Sequence, residues 1–167
     1  MAMAEADRPI RPQPVRMTKS QPGTVHPHAE AARAKKKAEA ESIGITEDYI
    51  DRFVDAFYAK VRKDDVLGPI FNARVDDWPD HLAKLKQFWA SVLHNAGTYS
   101  GRPMPAHVAI AEINRSHFDH WLVLFRQTLD ELAPASDAPE AVHERARMIA
   151  DSLMNGIAIH RDGKLSA

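Results

Sequence analysis

The sequence predicts an all-α protein with a polar N-terminal tail. Three observations lead there. Apolar residues recur at helical spacing in four long segments. No segment alternates apolar and polar residues as a half-buried strand does. Residues 1–42 hold five of the eleven prolines and almost no large apolar side chain.

Taken in order, residues 1–42 cannot bury enough surface to offset the entropy of ordering them. They are expected to be a tail, disordered or partly helical, ahead of a folded domain at 43–162. The end of the tail, AEAARAKKKAEAES, has good helix formers but no apolar face. It predicts a frayed solvent helix, with AKKKA a solvated charge run. ITEDYIDRFVDAFYAKVRKD follows, with Thr46 placed to cap a helix and acids in its first turn. Ile50, Phe53, Val54, Phe57, Tyr58 and Val61 make its apolar stripe.

LGPIF reads as a Gly-Pro turn. Next, residues 79–95 predict a helix, with Pro79 at its first position and Gly97 just past its end. His81 heads its apolar face, ahead of Leu85, Phe88, Trp89 and Val92. GTYSGRPMPAHVAIAEI is a loop leading to a short helix from about Pro105. SHFDHWLVLFRQTLDEL and a last helix over 139–160 complete the pattern.

Composition removes several function classes. The 167 residues suffice for one domain with a real core. The net charge of −1 supplies no basic field for nucleic acid. It is uneven: eight Lys/Arg against five acids give residues 1–42 a charge of +3 and leave −4 for the rest. With no cysteine there are no disulfides, no thiolate ligands and no covalent haem attachment. No apolar run reaches the roughly 18 residues of a membrane span. The N-terminus shows no apolar h-region, so a secretory signal is not expected. A cytoplasmic location is expected.

Nine histidines are the main chemical signal. His26 and His28 fall in the tail; His94, His143 and His160 lie on helix flanks or ends and read as surface residues. His117 and His120 share a helix face and could ligate a metal with Asp119 and Asp151 nearby. That makes a helical-bundle non-haem metalloenzyme the alternative, although it lacks the paired Glu-x-x-His motifs of such sites. His81 and His107 each sit in apolar company on separate helices. Each alone reads as a core histidine satisfied by a carbonyl. Together they could face one another across a flat apolar ligand, one on iron and the other near its open position. Tyr58 and Trp121 carry polar tips on apolar stripes and need partners when buried. On a plain core reading they, like Phe71, are only packing aromatics.

Four segments decide more. FYAKVRKDDVLGPIF, DDWPDHLAKLKQFWASVL, GTYSGRPMPAHVAI and HFDHWLVLFRQTL, in this order and spacing, resemble the third group of the truncated hemoglobins. The likeness spans about residues 43–160. None of the seven glycines adjoins another, which also resembles that group rather than its glycine-paired relatives.

The resemblance implies a shortened globin, a two-on-two helical sandwich around non-covalent haem b. It implies His107 as the proximal iron ligand. Tyr58, His81 and Trp121 become the distal, ligand-facing residues. Phe71, Phe88 and Trp89 become haem-packing aromatics. It implies reversible binding of O2, NO or CO, with redox or detoxification chemistry such as NO dioxygenation or peroxidase-like turnover, served by an unidentified reductase. Two features depart from the family: the tail, and His120 where arginine is more usual.

Overall fold

The structure is a computed structural model that describes residues 26–133 and 135–165. The expectation of a disordered tail falls largely on residues outside that range. Seven helices are present among the described residues: α1 Pro27–Ser42, α2 Glu47–Val61, α3 Gly68–Asn72, α4 Trp78–Leu93, α5 Pro103–Val108, α6 Arg115–Leu132 and α7 Ala138–Leu165.

Local chemistry sets their ends. Thr46 caps α2, its side chain accepting from the Tyr49 N–H at 3.0 Å. Asp77 caps α4 by accepting from the Asp80 N–H at 3.0 Å, so this helix begins one residue before Pro79. It also ends earlier than expected, with Asn95 turning the chain at φ 55°. Asn114 and His117 form a reciprocal capping box on α6.

LGPIF is a correction: residues 68–72 are helical rather than a turn. Gly-Pro suits a first helical turn as well as a β-turn. The Asp64 carboxylate selects the helix by accepting from the Val66 and Leu67 N–H groups at 3.0 and 2.8 Å. The end of the polar tail is helical, as α1, with only Ala40 buried and Lys36 and Lys37 half-buried. It leans on α4.

α2 packs on α4 and α6, and α6 packs on α7. This is the two-on-two sandwich. Its core is aromatic. Phe53, Phe57 and Phe125 are fully buried and meet edge to face at 5.0–5.6 Å. Trp89 stacks on Phe125 at 5.3 Å, and Trp121 stacks on it at 4.7 Å. These contacts lock α2, α4 and α6 together. The short α5 rests on α7.

His94 is a second correction. It is 3% exposed, not a surface residue. Its Nε2–H donates to the Ile45 carbonyl at 2.6 Å, tying the end of α4 to the α1–α2 link. Replacing His94 with Leu leaves that buried carbonyl unpaired. Denaturant unfolding should then show a loss of about 1–3 kcal/mol. An unchanged midpoint would mean that the carbonyl is satisfied without the ring.

Candidate functional site

A cavity of about 740 Å³ opens between the two layers and α5. That is within the usual range for a small-molecule or cofactor site, roughly 300–1,000 Å³. Tyr58, Phe71, His81, Phe88, Trp89, His107 and Trp121 all line it. The structure therefore brings together all seven residues that the family resemblance implies for the site.

One wall is built by α2, α3, α4 and α6. Tyr58 comes from the last turn of α2 and is 4% exposed. Its ring meets Phe57 at 4.9 Å, Phe71 at 5.8 Å and His81 at 6.2 Å. Burial pushes the phenol well above its ordinary pKa, while a hydrogen bond from the Trp121 indole pulls weakly the other way. Tyr58 is thus neutral, and its O–H stays available as a donor.

His81 sits in the first turn of α4. Its Nε2 is buried and is the one such side-chain nitrogen or oxygen without a hydrogen-bond partner among the described residues. A buried unpaired polar atom is costly, so an orphan beside a cavity marks where an occupant's polar atom belongs. Burial lowers the pKa of this ring, Lys84 lowers it further, and Asp80 opposes them. The imidazole is held neutral.

The opposite wall is α5 and the chain after it. His107 is half-buried there, with its ring 6.3 Å from that of Phe118. Its Nδ1–H donates to the Pro103 carbonyl at 2.7 Å, one turn back along the helix. That bond fixes the tautomer and leaves the Nε2 lone pair free. Pro103 and Pro105 make the local chain stiff, and Pro105 removes one competing N–H from this turn.

The mouth is polar. Arg74, Asp80, Lys84 and Arg102 rim it. Arg74 reaches across to Glu112 at 2.7 Å, and Lys84 pairs with Asp80 at 2.7 Å. These pairs are exposed and add little stability, but they place charge beside an apolar slot.

Sequence reasoning missed four contributors. Tyr99 lines the cavity with its ring 5.2 Å from Phe88. It folds over Gly101, where a Cβ would stand 2.1 Å from the phenolic oxygen. That glycine in GTYSGRP was the available signal. Trp78 backs His81 at 5.6 Å, with the Arg62 guanidinium 4.7 Å over its indole. Ile110 and Ile113 pave the wall below His107.

The His117 and His120 pair does not converge. The His117 Nδ1 accepts from the Asn114 N–H at 3.1 Å, while the His120 Nε2 meets the Asp64 Oδ2 at 2.8 Å. No cluster of three or more His, Asp or Glu with metal-holding geometry occurs among the described residues. A metal held by His107 needs its other ligands from a chelator that it brings along. An apolar slot with one free imidazole nitrogen and an orphaned imidazole nitrogen fits a metalloporphyrin.

Comparison with known proteins agrees. A family model described as bacterial-like globin matches residues 40–155. The group 3 truncated hemoglobin ctb of Campylobacter jejuni is 35% identical over 115 residues, covering 66% of this chain and 90% of that protein. The chain belongs to the group 3 truncated hemoglobins. The crystal structure of the group III truncated hemoglobin from Campylobacter jejuni matches this globin with a TM-score of 0.62 at 35% identity. That match covers 68% of this chain and 91% of the other. Haem binding is the family's property, and the cavity suits it. The matched residues 40–155 include all seven cavity residues above and stop before the last turns of α7. No described helix of this globin is long and apolar enough to cross a membrane.

Burial of His81 predicts acid sensitivity in the haem-free protein. Its folded pKa lies below its ordinary value near 6.5. Protons therefore bind the unfolded chain first, and the ring's contribution, present above about pH 6.5, is lost as pH falls from there through the lower folded pKa. In haem-free protein, Tm should fall from about pH 7 to about pH 5, and His81→Phe should flatten that decline. An equal decline in both proteins would place the sensitivity elsewhere.

Proposed function

We propose that this globin holds haem b non-covalently in the cavity, with His107 as the iron ligand, and binds O2, NO or CO reversibly. The observation that carries this reading is the Nδ1–H bond from His107 to the Pro103 carbonyl, across the cavity from the Tyr58, His81 and Trp121 group. When bound, haem supplies an iron that takes one protein ligand and keeps a further position for a small molecule.

The chain's own residues do the rest. The Pro103 carbonyl, by accepting from Nδ1, raises the basicity of the His107 Nε2 and fixes its aim. Phe71, Phe88 and Trp89 supply apolar surface and exclude water. Trp121 donates toward the Tyr58 oxygen, which turns the phenolic hydrogen to the cavity. Tyr58 then donates to a diatomic ligand that carries partial negative charge, and the chained donors strengthen one another. The neutral His81 stands at the same side as a moderate donor or a gate. Its orphaned Nε2 gains a partner when a ligand enters.

With two or three donors on one ligand, release is slow. Slow O2 release suits redox or detoxification chemistry on NO or peroxide better than O2 delivery, with a reductase of unidentified kind as the electron source. This reading places the globin in the cytoplasm and gives it no nucleic-acid partner. The haem-binding unit is the globin domain that begins near residue 43, with the end of α1 packed beside it through Ala40.

The decisive measurement is the visible spectrum of the purified protein, ferric and dithionite-reduced, with and without CO. His107→Ala should lose most of its Soret absorbance, and added imidazole should restore part of it. Normal haem content and an unchanged ferrous spectrum would remove His107 from the iron. Tyr58→Phe should speed O2 dissociation roughly tenfold, the loss of one hydrogen bond to a charged acceptor. Unchanged kinetics by stopped flow would shift the role to Trp121 or His81.

A further inference from the structure

The proximal wall is held by a residue that the family match does not reach. α5 has six residues and buries none of them. The chain that follows, residues 109–114, is not helical, so its carbonyls lack a helical ladder, although the Ile110 carbonyl also accepts weakly from the Ile113 N–H at 3.4 Å. Three of them converge on one nitrogen. The Arg161 Nη2 donates to the carbonyls of Ile110, Ala111 and Ile113 at 3.3, 3.0 and 2.8 Å. Arg161 lies on α7, six residues past the end of the match at residue 155.

The clamped segment leads directly to His107. The His107 carbonyl accepts from the Ile110 N–H at 3.0 Å, and the Ile110 carbonyl accepts from Arg161. Ile110 and Ile113 also line the cavity. A second contact from the same end of α7 holds α5 itself. Gly156 leaves room for Met104, and a Cβ there would stand 2.4 Å from the Met104 Cε. A guanidinium keeps its charge at any physiological pH, and its hydrogen bonds to carbonyls are charge-assisted.

We infer that Arg161 is a positioning residue for the proximal histidine: by clamping residues 110–113 to α7, it sets the tilt of α5 and thus the aim of the His107 ring at iron. The inference rests on the proposed role of His107. In this chain the last turns of α7 serve the haem site from beyond the residues that the family model matches.

Resonance Raman spectra of the ferrous, ligand-free, full-length globin test it, with Arg161→Met, Arg161→Lys and His107→Ala compared after hemin reconstitution. The iron–histidine stretching band of the parent should vanish in His107→Ala. In Arg161→Met it should shift or broaden, and haem transfer to apomyoglobin should run roughly tenfold faster. Arg161→Lys, which retains a cation and N–H donors, should recover much of both. If the parent band survives His107→Ala, the assignment of His107 fails and the inference fails with it. If the band depends on His107 but is unchanged in Arg161→Met, Arg161 is a stabilising clamp only and the inference is overturned, even when Tm falls.

Discussion

The packing of one ring, Phe125, governs where the rest of the fold can go. It is 1% exposed and touches Phe53 and Phe57 from α2, Trp89 from α4 and Trp121 on its own helix. Stacked and edge-to-face pairs prefer particular offsets, so this cluster fixes rotation as well as distance. Phe57 and Tyr58 are neighbours in sequence, as are Phe88 and Trp89. Locking one member of each pair in the core turns the other toward the cavity. The positions of the polar tips on that wall are thus a by-product of aromatic packing. The wall needs no separate framework to be preorganised.

The two sides of the cavity are held by different forces. The wall of α2, α4 and α6 rests on buried rings. The wall of α5 rests on hydrogen bonds at either end of a short segment, from His107 to Pro103 and from Arg161 to the carbonyls beyond. The polarity of the two imidazoles follows the same division. His81 is desolvated and its buried Nε2 has no partner, so its ring is neutral and that nitrogen waits for one. His107 has one nitrogen engaged by backbone and the other free, which suits a ligand to a metal. Two histidines in apolar surroundings therefore acquire different chemistry from their hydrogen bonds alone.

How much of this was legible in the sequence varies with the range of the interaction. The four long helices announce themselves through spacing, and Thr46 marks the start of one of them. The seven cavity residues were legible because each lies in a motif whose order and spacing are distinctive. α3 was misread because Gly-Pro suits both a turn and a helix start, and the deciding group, the Asp64 side chain, lies four residues upstream of Gly68. His94 was misread because its partner, the Ile45 carbonyl, is 49 residues away. Arg161 was invisible for the same reason, since its acceptors lie 48 to 51 residues back along the chain. His120, set apart as a departure from the family, has its own partner in Asp64 rather than in the cavity. That link joins α6 to the corner that carries Phe71.

That α5 buries none of its residues has a consequence for the life of the chain. A helix of this length has no stability of its own, and apolar contact with an occupant of the cavity is what it otherwise lacks. Ligand binding and local folding are then a single equilibrium on this side of the molecule. Without that occupant, residues 103–114 are held by what α7 offers them, the Met104 contact at Gly156 and the Arg161 bonds.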